Sequence, residues 1–267
     1  MHRDLVTIGP FTIRSYGFMI FLGIIAALLL GNHRAKKKGL GDEIAYDLTF
    51  VCAFCGMLGA KLLYLIMDWK EFWQDPVWGI LYGFVVYGGI IGGILAAYIF
   101  SRKQKYDFRL ILDLAFPSVA VAQGFGRIGC FLAGCCYGAP TDAWYGITFH
   151  NSYIAPNDIK LFPTQLVSSA GMFCIAGILL VYDRYGKKQG RIGALYLFLY
   201  SIGRFCIEFW RGDAERGHVG VLSTSQFISI FIFIFGVIVW MWSNKEQTNE
   251  LKKVDVKEGE NTAEQTE

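Results

Sequence analysis

The sequence predicts an all-α polytopic membrane protein with about seven transmembrane helices, an outward-facing N-terminus and a cytoplasmic C-terminus. Of the 267 residues, 54% are hydrophobic and only 18% are charged, whereas a soluble domain carries about 25% charged residues. Apolar runs recur along the chain at about 20 residues, the length that a spanning helix needs. Basic residues are dense in alternate connections, as in multi-pass membrane proteins.

Seven apolar segments are candidate spans, at residues 15–31, 48–67, 84–100, 110–131, 166–182, 192–210 and 226–242. The first is not interpreted as a cleaved signal peptide, because it has no small-residue cleavage site and a basic cluster follows it. We divide the chain into a seven-helix domain over residues 1–243 and a polar tail over 244–267. The tail has the mixed charge and low hydrophobicity of a disordered segment.

The distribution of basic residues sets the predicted orientation. Sixteen of the 25 Lys and Arg residues lie in the tail and in the connections after the first, third and fifth spans. Because such residues concentrate on the cytoplasmic side, those connections and the tail are predicted to face the cytoplasm. The two longest connections, 68–83 and 132–165, then face outward. Trp69, Trp73 and Trp78 indicate that the first of these lies at the membrane interface.

Ionisable side chains inside spans each cost about 2.5–3.5 kcal/mol on insertion and indicate function. With the predicted topology, polar residues from all seven spans lie toward the outer leaflet: Tyr16, Lys61, Tyr87, Arg127, Gln165, Arg204, Glu208 and Gln226. Two arginines in one leaflet repel each other unless an anion lies between them, and guanidinium suits bidentate phosphate contact. The sequence therefore predicts an anion-binding catalytic site near the outer face.

Several of these residues also have a structural interpretation. Arg204 and Glu208 are spaced i,i+4 and could form an ion pair on a helix surface. Lys61 could extend its ammonium group to the interface. Tyr16 and Tyr87 could be ordinary interfacial tyrosines.

The densest motif is the segment 126–138, GRIGCFLAGCCYG. Gly126 and Gly129 within it allow the backbone to lie close to a ligand or to a neighbouring helix. Gly88 and Gly89 begin a second glycine cluster. Those glycines either pack two helices together or open space beside the tyrosine that precedes them.

Cys130, Cys135 and Cys136 are either metal ligands or small apolar packing residues. No nearby histidine has ligand spacing, so we expect no metal and no other cofactor. The loop residues His150 and His218 are either solvated or proton acceptors. The total of seven cysteines is odd, which argues against a fully paired disulfide framework. A net charge of +3 is too small to indicate nucleic acid as a partner.

Several short motifs occur in the same order as in one family of bacterial membrane enzymes. They are Tyr16-Gly17, Gly88-Gly89 with Gly92, Gly126-Arg127-Ile128-Gly129 with Phe131, Gly134 and Gly138, Pro163-Thr164-Gln165-Leu166, Arg204 with Ile207-Glu208-Phe209 and Arg211, and Ser225-Gln226. On these motifs, over roughly residues 8–242, the chain resembles the prolipoprotein diacylglyceryl transferases.

The resemblance implies a reaction, a location and a set of site residues. The diacylglyceryl group of phosphatidylglycerol passes to the lipobox cysteine thiol in a prolipoprotein signal peptide, with release of glycerol phosphate, at the outer leaflet of the bacterial cytoplasmic membrane. Arg127 and Arg204 line the phospholipid site, where cations stabilise the charge that develops on phosphate. We expect Tyr87 and Glu208 to be catalytic with them. Substrate-binding residues are expected at Tyr16, Lys61, Gly88, Gly89, Gly126, Gly129, Gln165 and Gln226.

Four positions depart from the pattern of the family. Tyr87 and Phe162 stand where histidine is usual, Cys130 where asparagine is usual, and Cys135 where an acidic residue is usual. Activation of the thiol then depends on tyrosine, whose reference pKa is near 10, or on the field of the cations. Two alternatives stay open. The chain could transfer a lipid group to a different acceptor, or it could be a non-catalytic lipid-binding membrane protein.

Overall fold

The computed structural model describes residues 4–8, 11–41, 43–75, 79, 83–185, 189–212 and 217–243. The helices within these residues are α1 (Ser15–Lys37), α2 (Ile44–Met67), α3 (Trp69–Gln74), α4 (Val86–Lys103), α5 (Phe108–Ala133), α6 (Thr164–Tyr185), α7 (Arg191–Ile207) and α8 (Thr224–Ser243). A 3₁₀ turn, Glu208–Trp210, continues α7. The tail predicted over 244–267 and Trp78 lie outside the described residues.

Three short antiparallel strand pairs lie between or before the helices. The strands are β1 (Asp4–Ile8), β2 (Phe11–Arg14), β3 (Ile147–Thr148), β4 (Lys160–Leu161), β5 (His218–Val219) and β6 (Leu222–Ser223), paired in chain order. The apolar spans gave no indication of these pairs. In α3, the ring centroids of Trp69 and Trp73 are 5.6 Å apart, and both side chains are exposed, as an interfacial segment requires.

Six of the described helices are long and apolar enough to cross a membrane: α1, α2, α5, α6, α8, and α7 extended to Trp210. The protein is therefore a multi-pass membrane protein, as the composition predicted. Each of the seven predicted spans coincides with a helix, but α4 is not among the six. It has 18 residues and ends in Arg102 and Lys103, so its apolar part is about 24 Å long, against a hydrocarbon core of about 30 Å. The count of seven crossings and the orientation stay predictions.

Residues 28–115 form one compact unit, in which α2 and α4 pack through glycines. A Cβ atom on Gly59 would collide with the carbonyl oxygen of Gly88, and one on Gly88 with that of Gly59. One turn further along α4, a Cβ atom on Gly92 would collide with the carbonyl of Cys55. Only residues without a side chain allow two helix backbones to lie this close, so the packing interpretation of the glycine cluster has a direct geometric basis.

Arg34, in the last turn of α1, is buried in the same unit. Its Nη1 donates to the carbonyl oxygen of Leu114 at 2.6 Å, and its Nη2 to that of Asp113 at 3.0 Å. Both carbonyls lie in α5 just before Pro117. Because proline has no N–H, the carbonyl four residues earlier loses its helical partner. Arg34 therefore donates a hydrogen bond to the carbonyl of Asp113, which has no helical donor because of Pro117. The count of basic residues along the chain could not indicate this structural role.

Replacing Arg34 with methionine is expected to lower the free energy of unfolding by about 2 kcal/mol, because the buried carbonyl oxygen of Asp113 is left without a donor. Denaturant unfolding of the detergent-solubilised protein measures this loss. In a Pro117→Ala background the loss should be smaller, since alanine supplies the missing N–H to Asp113. Equal losses in both backgrounds would show that the proline does not create the need for Arg34.

Residues 1–27 and 116–267 form the second unit. Its core lies between α5, α6 and α7 and contains Ala120, Met172, Ile175, Ala176, Leu179, Ile192 and Tyr196. Burial of these apolar side chains fixes the three helices against one another. A smaller cluster of Phe149, Ala155 and Leu161 gives the connection between α5 and α6 a core of its own. This connection and the helix ends beside it position the candidate site.

Candidate active site

A buried carboxylate lies beside two guanidinium groups at the end of α7. The Oε2 atom of Glu208, whose side chain is 2% exposed, accepts a hydrogen bond from Arg204 Nη1 at 2.6 Å. Arg211 Nη1 lies 3.8 Å from the same oxygen. Arg204 also donates from Nη2 to the hydroxyl of Ser225 at 2.6 Å, in the first turn of α8. The i,i+4 pair suggested by the sequence is therefore formed, but it is buried and is not a surface pair.

Arg127 lies near the end of α5. It is half-buried, and no hydrogen bond or ion pair joins it to another residue within the described part of the chain. It nevertheless interacts electrostatically with Arg204 and with Tyr16. Among the described residues, Arg204 and Arg211 pair with Glu208, and Arg127 interacts electrostatically with Arg204. Guanidinium groups gathered in this way suit contact with an anion such as a phosphate.

Tyr16, in the first turn of α1, contacts the same part of α5. A Cβ atom built on Gly129 would lie 3.1 Å from the Cδ2 atom of the Tyr16 ring. The absence of a side chain at Gly129 therefore leaves room for the ring. Gly126 differs, because no atom lies within 4 Å of a Cβ built there. The glycine before Arg127 therefore faces open space, whereas the glycine two residues after Arg127 packs the tyrosine.

The sulfur atoms of Cys130, Cys135 and Cys136 all lie within 4.8 Å of one another. Cys130 lies in the last turn of α5, and Gly134, with φ of +77°, reverses the chain just after it. This is the left-handed conformation in which glycine commonly ends helices. Cys136 also has a positive φ, +58°, which is uncommon for a residue other than glycine. The reversal brings the adjacent cysteines back to Cys130 and forms a cluster that we call the thiol triad.

Positive charge surrounds the thiol triad. Hydrogen bonds with the Cys130 and Cys135 thiols lower the pKa of Cys136, and the cations Arg211 and Arg127 act in the same direction. Hydrogen bonds with the Cys130 and Cys136 thiols raise the pKa of Cys135. One proton is therefore lost from the triad more readily than the others, and the arginines that adjoin it stabilise the resulting thiolate.

Two buried side chains of α6 hold the backbone of the triad. Gln165 donates from Nε2 to the carbonyl of Cys135 at 2.9 Å, and the hydroxyl of Thr164 donates to the carbonyl of Cys136 at 2.8 Å. Gln165 is 1% exposed. The sequence predicted that Gln165 binds substrate, and this stays a prediction. The contact that the structure gives it is with the backbone of the thiol triad.

The segment after the triad pairs with the end of α7 and fixes Arg211. The backbone N–H of Ala139 donates to the carbonyl of Trp210 at 2.8 Å, and that of Gly212 donates to Tyr137 at 3.1 Å. Phe162, which stands where the family usually has histidine, stacks on Trp210 with ring centroids 5.9 Å apart. The backbone pairing explains how Arg211 comes to lie beside Glu208 and Cys136, which the spacing of residues along the chain could not show.

The remaining predicted site residues divide between the two units. Lys61, Tyr87, Gly88 and Gly89 belong to residues 28–115. The Lys61 ammonium group donates to the carbonyls of Gly79 and Gly83 at 2.7 and 2.6 Å and lies 4.1 Å from the centre of the Phe84 ring. These contacts give Lys61 a structural role. Tyr87 is 49% exposed. In the second unit, His150 is an exposed loop residue that pairs with Asp158, and His218 lies in β5.

Gln226 has a place in the cap of α8. The N–H of Ser223 donates to Gln226 Oε1 at 3.1 Å, and the N–H of Gln226 donates to Ser223 Oγ at 3.2 Å. This reciprocal pair is a capping box, which satisfies backbone donors at a helix start. Gln226 is 6% exposed. The structure thus offers a structural role for a residue that the sequence predicted to bind substrate.

Replacing Gln226 with alanine is expected to cost about 1 kcal/mol of stability through loss of the cap, with unchanged affinity for an anionic phospholipid. Thermal unfolding and lipid titration of the same preparation measure the two effects. Ser223→Ala is the matched control, since it removes the other half of the cap. Weaker lipid binding in Gln226→Ala alone would instead place this amide in contact with the substrate.

Comparison with known proteins agrees with the motifs in the sequence. The family model for prolipoprotein diacylglyceryl transferase matches residues 3–242. A phosphatidylglycerol–prolipoprotein diacylglyceryl transferase of Clostridium tetani is 49% identical over 230 residues, 85% of this chain and 92% of the relative. A second such transferase, of Clostridium perfringens, is 47% identical over 85% of this chain and 90% of its own length. One from Gloeobacter violaceus is 31% identical over 92% and 94%. The chain therefore belongs to the prolipoprotein diacylglyceryl transferase family.

Proposed function

We propose that this enzyme transfers the diacylglyceryl group of phosphatidylglycerol to the lipobox cysteine thiol of a prolipoprotein signal peptide and releases glycerol phosphate. The observation that carries the proposal is Arg127, a half-buried arginine that has no counter-ion among the described residues and lies beside the cluster of Arg204, Glu208 and Arg211. A lipid phosphate supplies the missing negative charge. The relatives named for this reaction match along most of the chain, which supports the same assignment.

The arginines act on the leaving group. The sulfur of the acceptor attacks the glyceryl carbon that is bonded to a phosphate oxygen, so a C–S bond forms as the C–O bond breaks. The bonding electrons move onto that oxygen, and negative charge grows on the phosphate. Guanidinium groups held in place before the reaction stabilise this charge without reorganising. Arg204 is held by Glu208 and Ser225, whereas Arg127 is available for the phosphate.

The site is proposed to face the outer leaflet of the bacterial cytoplasmic membrane. Within the unit of residues 1–27 and 116–267, it contains residues from the start of α1, the end of α5, the start of α6, the end of α7 and the start of α8. Helices that cross a membrane in alternating directions place these five helix ends on the same side. Because α1 begins and α5 ends on that side, the chain between the end of α1 and the start of α5 must cross the membrane an even number of times. If α2 crosses, α4 returns the chain, which supports seven crossings with the N-terminus outside.

A turnover assay tests the proposal. Purified protein in vesicles receives phosphatidylglycerol and a lipobox peptide, while glycerol phosphate release and peptide mass are followed. A matched peptide with serine in place of the lipobox cysteine is the control. Release of glycerol phosphate together with a diacylglyceryl mass gain on cysteine is expected. Release without modification of the peptide would favour a different acceptor, and intact lipid after long incubation with folded protein would favour a non-catalytic lipid-binding protein.

A further inference from the structure

The thiol triad has the geometry of a metal site with an open position. Three sulfur ligands of one zinc ion, each about 2.3 Å from the metal, lie about 3.8 Å from one another. The three sulfur atoms here already lie within 4.8 Å of one another, so small side-chain rotations bring them onto one ion. All three are free thiols. Among the described residues, no further His, Cys, Asp or Glu joins the group. Three protein ligands with a fourth position open is the arrangement of catalytic zinc.

We propose that Cys130, Cys135 and Cys136 bind a Zn²⁺ ion whose open position takes the acceptor cysteine and activates its sulfur for alkylation. This inference rests on the proposed transfer to a cysteine thiol. It supplies what the sequence left open, the means of removing the thiol proton. A thiol that coordinates a metal ion is deprotonated outright, so no general base is required.

The surroundings of the triad suit an anionic zinc–thiolate group. Three thiolates and one Zn²⁺ ion carry a net charge of −1, and the acceptor thiolate makes it −2. Arg127 and Arg211 both interact electrostatically with Cys136 and offset this charge. The hydrogen bonds from Gln165 and Thr164 to the backbone of Cys135 and Cys136 hold the ligands in place, as surrounding groups do in metal sites.

The step balances without an oxidant or a reductant. The acceptor thiol releases its proton to solvent as its sulfur enters the open position. That sulfur forms a bond to the glyceryl carbon, and the C–O bond to phosphate breaks. The electron pair leaves on the phosphate oxygen, which Arg127 and Arg204 stabilise. The product is a neutral thioether, a weaker ligand than a thiolate, so it leaves the ion and frees the position for the next acceptor.

Metal content and the spectrum of cobalt-substituted protein test the site apart from activity. The purified wild-type protein is expected to hold one zinc ion by elemental analysis. Cobalt in its place should show sulfur-to-cobalt charge-transfer bands and tetrahedral d–d bands. The variant Cys130→Ser/Cys135→Ser/Cys136→Ser should hold none. A control with as many thiols removed elsewhere, Cys52→Ser/Cys55→Ser/Cys174→Ser, should keep the ion. The lipobox peptide, but not its serine form, should shift the d–d bands.

Removal of the ion from the wild-type protein by a chelator tests activation without any mutation. A free thiol with a pKa near 8.5 is about 3% ionised at pH 7, so turnover should fall about thirtyfold and return when zinc is added. Below pH 8.5 the rate of the metal-free protein should rise about tenfold per pH unit, whereas that of the zinc protein should stay nearly flat.

Three results distinguish the zinc proposal from the proposed transferase function. Turnover by protein that binds neither zinc nor cobalt would overturn the inference and leave the proposed function standing. Metal binding with unchanged turnover and an unchanged pH profile after chelation would overturn the activating role of the ion. Absence of turnover in zinc-loaded protein, with no spectral response to the peptide, would overturn the proposed function and the activation together.

Discussion

Replacing Arg127 with alanine is expected to reduce turnover by on the order of a hundred- to a thousandfold, the cost of removing a preorganised donor from a developing anion. The guanidinium has no hydrogen-bond or ion-pair partner within the described residues, so its removal should not lower stability. Turnover kinetics together with thermal unfolding of the same detergent-solubilised protein measure both effects. Loss of turnover without loss of stability would separate a catalytic arginine from a structural one.

Two variants sharpen this test. Arg127→Lys keeps the charge but not the planar, bidentate donor geometry, so its turnover is expected between that of the alanine variant and that of the wild type. Arg109→Ala removes an arginine that instead pairs with Asp107 at 2.6 Å, and its turnover should stay near the wild-type value. Normal turnover by Arg127→Ala would overturn the assignment of the phosphate site.

The helical part of the fold could be predicted because lipid imposes a strict length and polarity on each crossing. All seven predicted spans coincide with helices, and the helix boundaries lie within six residues of the predicted ones. The third span is the exception. Its glycines are explained by close packing against α2, and the apolar length of α4 alone does not establish a crossing. The short strand pairs escaped prediction because their few residues carry no hydrophobic period.

The sequence predicted those residues of the candidate site that carry a charge inside an apolar span. Arg127, Arg204 and Glu208 were singled out in this way and belong to one cluster, and their binding of an anion stays a prediction. For the thiol triad the sequence left two alternatives, metal ligands or packing residues, and favoured packing because no histidine with ligand spacing accompanies Cys130, Cys135 and Cys136. The triad depends on a chain reversal at Gly134 that no residue count reveals. A glycine shortly after the end of an apolar span, followed by two cysteines, is the signal that could have indicated it.

Polar residues at helix ends show a second limit of the sequence. Gln226 was predicted to bind substrate, yet its side chain completes a helix cap. Arg34 was counted as a cytoplasmic charge, yet it satisfies a backbone carbonyl opened by Pro117. In both cases the partner is a backbone group. Every segment has backbone donors and acceptors, so residue type and position alone do not reveal which of them lack a partner.

Glu208→Ala is expected to lower the free energy of unfolding by about 3 kcal/mol, because removal of one member of a buried ion pair leaves the other charge uncompensated. Arg204 loses a carboxylate acceptor at 2.6 Å, and Arg211 loses the carboxylate 3.8 Å away. Thermal or denaturant unfolding in detergent measures the loss. Asp107→Ala removes the acidic partner of Arg109, whose side chains are 36% and 27% exposed, and should cost no more than about 1 kcal/mol.

Phosphatidylglycerol should stabilise the Glu208→Ala variant more than it stabilises the wild-type protein. Without the carboxylate, Arg204 and Arg211 lose the anion that they share, so the lipid phosphate takes over part of the lost charge compensation. Stabilisation by a ligand grows with its affinity for the folded state, and the rise in Tm on adding this lipid should therefore be larger in the variant. A zwitterionic phospholipid is the matched control. Equal rises in Tm for the two proteins would show that the phosphate does not bind at this cluster.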